Sequence, residues 1–364
     1  MRYYIIAGEA SGDLHGSKIM ESIKKIDNKA KFRFWGGEKM KGIGGEIVKH
    51  INQLSFMGFW EVLKNIFTIF KNISLCKRDI NTYQPDKIVY IDYPGFNMVI
   101  AKWAKKIGFQ NHFYISPQIW AWKESRIKKI KRDIDYLYVI LPFEKEYYQK
   151  KHNLDVYYVG HPLVEIINKE KKNTDLFPFT LTKPVIALLP GSRKQEIKKM
   201  MPVYKSVVNH FNNYEFIIAG VSNINKDWYN KFLKEDKIKI VYDNTYNLLK
   251  RSTAAIVTSG TATLETALFD VPQIVCYKSS LFSYLVGKLF IKLKFISLVN
   301  IIMDKEVVKE LIQKDCSKRN IVYELSQLLK NENILSVKKE YEKLRNKLGK
   351  EETSLKVAKL ITKV

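Results

Sequence analysis

The chain reads as an α/β protein of two halves, each built on a parallel sheet, and three observations lead there. Short apolar runs alternate with helix-length segments in both halves, the pattern of βαβ units with right-handed crossovers. Both halves open alike, with an apolar strand that runs into a loop of small residues and then a helix. At 364 residues there is chain enough for two domains, each with its own core.

In the first half Tyr3–Ala7 is the opening strand, and Gly8-Glu9-Ala10-Ser11-Gly12-Asp13 leads from it into a helix. Further buried strands follow at Lys87–Ile91, Asn111–Ile115 and Leu137–Leu141. The second half starts at Pro184–Leu189, which enters Pro190-Gly191-Ser192-Arg193 and a helix through Ile197. Its later strands are Glu215–Ala219, Lys239–Tyr242, Ala254–Val257 and Gln273–Tyr277. A break after Gly160-His161-Pro162 and a polar stretch from Asn168 to Asp175 divide the halves. The expected domains are 1–165 and 184–330, with 166–183 as a linker and 331–364 as charged helices packed back on the body. Parallel sheets gather ligands at the carboxyl ends of their strands, so two of them would present a common crevice.

Two apolar stretches stand apart. From Gly58 to Leu75, Phe59, Val62, Leu63, Ile66, Phe70 and Ile73 follow helical spacing, and Trp60, Phe67 and Ile69 broaden the arc. Such an excess fits a buried helix or one that meets lipid. Leu281 to Val299 carries Lys288, Lys292 and Lys294, at roughly 2.5–3.5 kcal/mol each in a bilayer centre, so it should not span. The formal charge of +25 comes from lysines scattered along the chain, without a basic arm or a nucleic-acid-binding module. It reflects compositional bias or attraction to an anionic membrane or a phosphorylated substrate. Cys76, Cys276 and Cys316 have no metal or redox spacing and fit reduced thiols in a cytoplasmic protein. No signal peptide is visible, because the apolar run Tyr3–Ala7 stops at Gly8-Glu9.

Candidate chemistry lies in the loops that leave strands. Ser259-Gly260-Thr261-Ala262-Thr263-Leu264-Glu265 joins the strand Ala254–Val257 to a helix. At such a junction unpaired N–H groups and the helix dipole favour a phosphate, and a carboxylate one turn on can reach ribose hydroxyls. A tight turn that merely needs small residues would read the same. Arg193 and Ser192 open a helix in the other half-loop, where Arg193 can bind a phosphate bidentately or pair with Glu196. Asp92 ends the strand Lys87–Ile91 and is placed either as a general base, its pKa raised by burial, or as a turn cap. Glu9 and Asp13 would repel a phosphate in the first loop, so a sugar-hydroxyl or capping role suits them. No histidine pattern holds a metal, and neither Ser192 nor Ser259 stands in a nucleophile elbow.

With these residues in view, the chain resembles the lipid-A-disaccharide synthase family, inverting glycosyltransferases of the GT-B fold. The match runs in order through Gly8–Asp13, Met57-Gly58 with Glu61-Val62-Leu63, Asp92-x-Pro94-x-Phe96-Asn97 and Ser116-Pro117-Gln118-Ile119-Trp120-Ala121-Trp122. It continues through Pro142-Phe143-Glu144, Gly160-His161-Pro162-Leu163, Leu189–Arg193, Ser259–Glu265 and Asn300 to Gln313. The resemblance implies transfer of 2,3-diacylglucosamine from UDP-2,3-diacylglucosamine to 2,3-diacylglucosamine 1-phosphate, giving a β-1,6-linked disaccharide and UDP. It implies Asp92 as base and Glu9 as an active-site carboxylate. It places Ser192, Arg193, Ser259, Gly260, Thr261, Ala262, Thr263 and Glu265 around UDP, with Asn300, Glu310 and Gln313 lining the donor side. No metal or cofactor is implied. A peripheral place on the cytoplasmic leaflet of the inner membrane follows from the diacylated substrates, and the resemblance allows a dimer formed by exchange of C-terminal elements. Gly95 stands where many relatives have a second Asp, and Lys309 where a Pro is usual. Rival readings are another UDP-sugar enzyme of this fold, such as a 2-epimerase or a peptidoglycan glycosyltransferase, and a basic nucleic-acid-binding protein.

Overall fold

The computed structural model describes residues 1–54, 66–173, 177–233, 238–279, 293–349 and 352–363. The chain divides into two compact units, Met1–Pro162 with the C-terminal segment, and Leu163–Gly349. In the first unit the strands are β1 (Arg2–Ala7), β2 (Lys31–Gly36), β3 (Glu46–His50), β4 (Lys87–Ile91), β5 (Asn111–Tyr114), β6 (Tyr136–Val139) and β7 (Tyr157–Tyr158). They lie in the order β3-β2-β1-β4-β5-β6-β7, and every pairing is parallel. In the second unit β8 (Val185–Leu189), β9 (Glu215–Gly220), β10 (Lys239–Tyr242), β11 (Ser252–Thr258), β12 (Gln273–Tyr277) and β13 (Lys309–Ile312) form a parallel sheet ordered β10-β9-β8-β11-β12-β13. Helices cover both faces of such sheets, so central strands must be apolar throughout, and β4 and β8 are buried at every residue.

The first core carries polar tips that are satisfied internally. The Tyr4 hydroxyl donates to Asp79 at 2.8 Å and accepts the Trp35 indole N–H at 2.9 Å. Asp79 also takes two bonds from the Arg33 guanidinium. Buried aromatics can keep their apolar bulk inside because each polar end has a partner.

The C-terminal helices belong to different units. Helix Asn331–Leu348 buries Tyr341, Leu344 and Leu348 in the second unit, where the Gln273 amide donates to the Tyr341 hydroxyl at 3.3 Å and Arg345 pairs with Asp270. Helix Thr353–Lys363 inserts Val357, Ala358 and Ile361 among Ile19, Met20 and Ile23 of the first core. The stretch expected as a linker opens inside helix Pro162–Lys171. Of the apolar stretch Gly58 to Leu75, residues 58–65 lie outside the described residues, as do residues 281–292 of the second one.

Asp13 does cap a helix, though not its own. Its carboxylate accepts the backbone N–H groups of Gly37 at 2.7 Å, Lys39 at 3.1 Å and Met40 at 3.0 Å, the first turn of the helix Glu38–Ile43. Gly37 permits this approach, since a Cβ there would stand 2.7 Å from the carboxylate. Bonds to a buried charge are worth more than neutral ones, so Asp13→Ala should destabilise the first unit by about 2–4 kcal/mol in urea denaturation. Asp13→Asn, which keeps one acceptor, should cost about half of that.

Candidate active site

In each sheet the strand order reverses once near the middle, between β1 and β4 and between β8 and β11. The loops leaving two such strands diverge to opposite faces and open a hollow at their carboxyl ends. The sequence-derived candidates fall largely on these four loops.

In the second unit the loops after β8 and β11 line a cavity of about 410 Å³. Gly191, Ser192 and Arg193 contribute one wall, and Ser259, Gly260, Thr261 and Ala262 the other. Gly191 has φ +104°, and a Cβ there would lie 2.5 Å from Glu196 Oε2, so only glycine fits. Gly260, at φ +153°, precedes the helix Thr261–Leu268 with no side chain to cap it. The helix therefore begins five residues before the apolar run from Thr266, and its first N–H groups, at Thr261 and Ala262, have no intrahelical acceptor. These groups, the helix dipole and the Arg193 guanidinium give the cavity an anion-binding character. Arg193 lies at the start of the helix Lys194–Val208, 68% exposed, with the Glu196 carboxylate 3.5 Å away.

Two of the candidate hydroxyls are already engaged within the protein. The Ser259 hydroxyl donates to the Ile296 carbonyl at 2.9 Å, and the Thr263 hydroxyl turns back to Gly260 at 2.8 Å, so both protons are committed within the protein. Glu265 stands where the cavity meets a second one of about 510 Å³ bordered by Gly220, Asp243 and Asn244. Burial pushes its pKa up, and the Tyr246 hydroxyl, which donates to it at 2.8 Å, opposes that rise. Tyr246 has no signature in the sequence; only the fold brings it to Glu265.

Asn300, Glu310 and Gln313 line neither cavity. Asn300 is fully buried, accepts the N–H groups of Val307 and Val308, and donates to Val308 and Glu310. Glu310 accepts the N–H groups of Ile296 and Ser297 at 2.9 Å each. The pair thus pins the segment whose Ile296 carbonyl receives Ser259. Gln313, at φ +53°, exchanges hydrogen bonds with Ser279. Lys309, the departure from the usual Pro, opens β13 in regular register with β12.

In the first unit Glu9 follows β1 and Asp92 follows β4. Glu9 is the residue before helix Ala10–Ile26 and makes no capping bond with its side chain. Desolvation, reinforced by the nearby Glu9 charge, raises the Asp92 pKa from the usual 3.8 to about 6. A carboxylate in that range accepts a proton readily near neutrality. The Ser116 to Trp122 segment is anchored beside it in the sheet by Glu144, which is fully buried and accepts the Ser116 hydroxyl, the Trp120 indole and two backbone N–H groups. Among the described residues no group of His, Cys, Asp and Glu could hold a metal ion.

Comparison with known proteins narrows the chemistry. The family model described as lipid-A-disaccharide synthetase matches residues 3–364. Lipid-A-disaccharide synthase of Coxiella burnetii is 38% identical, the match covering 90% of this chain and 89% of that protein. The synthase of Syntrophus aciditrophicus is 35% identical over 95% of this chain and 93% of its own. Among solved structures, the Methanocaldococcus jannaschii UDP-GlcNAc 2-epimerase in complex with UDP-GlcNAc and UDP superposes with a TM-score of 0.67 at 13% identity, covering 100% of both chains. Acinetobacter baumannii MurG superposes with a TM-score of 0.61 at 9% identity, over 100% of this chain and 99% of that one. The two structural likenesses establish a shared two-domain fold.

The raised pKa of Asp92 carries a stability cost. Between pH 3.8 and about 6 the folded state holds the proton that the unfolded chain releases, so stability falls as pH rises through that window. Above it the full penalty, ~3 kcal/mol for a shift of about two units, is in force. Asp92→Asn should therefore raise the denaturation midpoint at pH 8 and leave it little changed at pH 3.5.

Proposed function

The chain belongs to the lipid-A-disaccharide synthetase family, and from that premise we propose that it transfers 2,3-diacylglucosamine from UDP-2,3-diacylglucosamine to 2,3-diacylglucosamine 1-phosphate with inversion. The products are the β-1,6-linked disaccharide 1-phosphate and UDP. Two observations, one in each unit, carry this reading: the uncapped helix start beside Arg193 in the second and the carboxylate of raised pKa in the first.

Each half of the reaction has its own physical demand. The acceptor's 6-hydroxyl attacks the anomeric carbon as the bond from that carbon to the diphosphate oxygen breaks. Asp92 takes the hydroxyl proton in the same displacement; burial, reinforced by the like charge of Glu9, keeps its carboxyl basic. The diphosphate leaves with negative charge, which the N–H groups of Thr261 and Ala262 and the Arg193 guanidinium stabilise. Glu265, between the two cavities, is placed for ribose hydroxyls, and the second cavity for the base. Asn300 and Glu310 act through the Ile296 segment rather than on the sugar nucleotide itself.

Two-chain lipid substrates require a membrane contact. No helix among the described residues is long and apolar enough to cross a bilayer. Helix Ile66–Tyr83 exposes Phe67 at 85% and Phe70 at 62%, and the net charge is +25, which together support a peripheral position on an anionic leaflet.

Incubation with the two diacylated sugars should yield disaccharide and UDP by mass spectrometry; turnover of a soluble UDP-sugar to its 2-epimer instead would favour the epimerase reading. Asp92→Asn should lower kcat by about 10²–10⁴-fold while UDP affinity stays within twofold. For the unaltered chain kcat/KM should fall with unit slope as pH drops below about 6, because only the ionised carboxylate accepts the proton. Arg193→Ala should weaken UDP binding by about 10–100-fold in calorimetry.

A further inference from the structure

Asp92 sits in a turn that does not hold itself. Asp92 and Tyr93 are consecutive non-glycine residues in the left-handed region, at φ +46° and +49°. Each such residue costs roughly 1–2 kcal/mol. Pro94 follows, and a residue before proline is normally pushed to extended backbone, so Tyr93 is doubly disfavoured. Strain of this kind persists only where the surroundings over-determine it.

Three contacts supply that determination. The Asp92 N–H donates to the Tyr114 carbonyl at 2.9 Å, continuing the ladder of β4 on β5. The Tyr93 ring stacks on Phe96, with centroids 5.8 Å apart, and packs against Gly8, where a Cβ would come within 2.4 Å of the ring. Glycine is required there for space. The third contact is Asn97, fully buried in the helix Pro94–Lys106, whose Nδ2 donates to the Asp92 carbonyl at 2.7 Å and lies 3.5 Å from the Ile91 carbonyl. Two carbonyls on that side fix the nitrogen toward them. The Asn97 Oδ1 on the other side is buried without a hydrogen-bond partner. A leucine would fill this volume without that cost, so the amide is present for its donor.

We propose that Asn97 is the positioning residue for Asp92, and that the Tyr93 ring seated on Gly8 keeps the Asp92 turn in register with Glu9. The proposal rests on the reading of Asp92 as base. Gly8 directly precedes Glu9 and Tyr93 directly follows Asp92, so one ring contact ties the two loops that carry the carboxylates. Asn97 then prevents the Asp92 peptide from relaxing toward an ordinary right-handed or extended turn, which would re-aim the side chain. The groups facing Asp92 are Glu9 and the Tyr93 backbone N–H, so a relaxed turn changes the field at the carboxylate as well as its direction.

The test uses the full chain with Asn97→Ala and Gly8→Ala made separately. Each should lower kcat by about 10–100-fold, the scale of a misplacement of about 1 Å, with KM for the UDP-sugar and UDP affinity within twofold. Each should also move the acid limb of the kcat/KM profile downward, as Asp92 gains water and parts from Glu9. Loss of kcat with the limb unmoved would show a merely structural role and overturn the proposal, as would near-normal kcat in both variants. Urea denaturation followed by near-ultraviolet circular dichroism reports whether the first unit, which holds both positions, is folded; if Asn97→Ala fails that check, Gly8→Ala decides. Should the unaltered chain lack an acid limb and Asp92→Asn turn over normally, the base reading itself falls; a limb that is present but unmoved sinks only the positioning role.

Discussion

A parallel strand can be joined to its neighbour only by a crossover, and every crossover in a sheet delivers its strand end to the same edge. Where the order reverses, adjacent loops leave toward opposite faces and backbone ends are exposed between them. That constraint acts twice in this chain, at β1/β4 and β8/β11, and almost every chemically suited residue lies on those loops. The strands β4 and β8 behind them are buried at every residue, so those loops leave from the packed centre of each sheet.

The same topology yields opposite electrostatics in the two units. After β11 the glycine at φ +153° leaves a helix start bare, and its dipole and Arg193 gather positive potential. After β4 the chain instead spends two left-handed residues to bring a carboxylate beside Glu9, and like charge with burial keeps it proton-accepting. Glu196 and Glu265 both line the cradle; the Glu196 carboxylate lies 3.5 Å from Arg193, and a bound diphosphate would compete with it.

The two-sheet architecture was legible because buried parallel strands leave apolar runs. Lys87–Ile91, Lys239–Tyr242 and Gln273–Tyr277 have the same bounds in the sequence and the structure. β3 and β13 were not legible because charged residues break their apolar runs, β7 because it is only two residues long, and β2 was lost behind its alternating Lys31 and Arg33. The loop that lines the cavity after β11 was visible as small residues following a strand, and the place of Asp92 at the end of β4 from the strand itself. Motif position does not say which way a side chain points, and Asn300 and Glu310 bond to each other and to backbone rather than line the two cavities. Asn97 had no visible role because its partner is a backbone carbonyl five residues earlier.

The features hardest to read are also those that oppose stability. Left-handed Asp92 and Tyr93, the unpartnered Asn97 Oδ1 and a carboxylate held to a pKa of about 6 all lie within six residues. Each is unfavourable for folding by itself, and none is needed to close the helix Pro94–Lys106, which Pro94 at its first turn already starts well. Were the turn only a connection, glycine at 92 or 93 would relieve the strain, and an apolar residue at 97 would fill the core. The neighbouring Gly95 marks the contrast, being exposed with nothing near its missing Cβ. Local rules are broken together at the Asp92 turn and kept around it, which is the distribution expected when a site, rather than the fold, selects the residues.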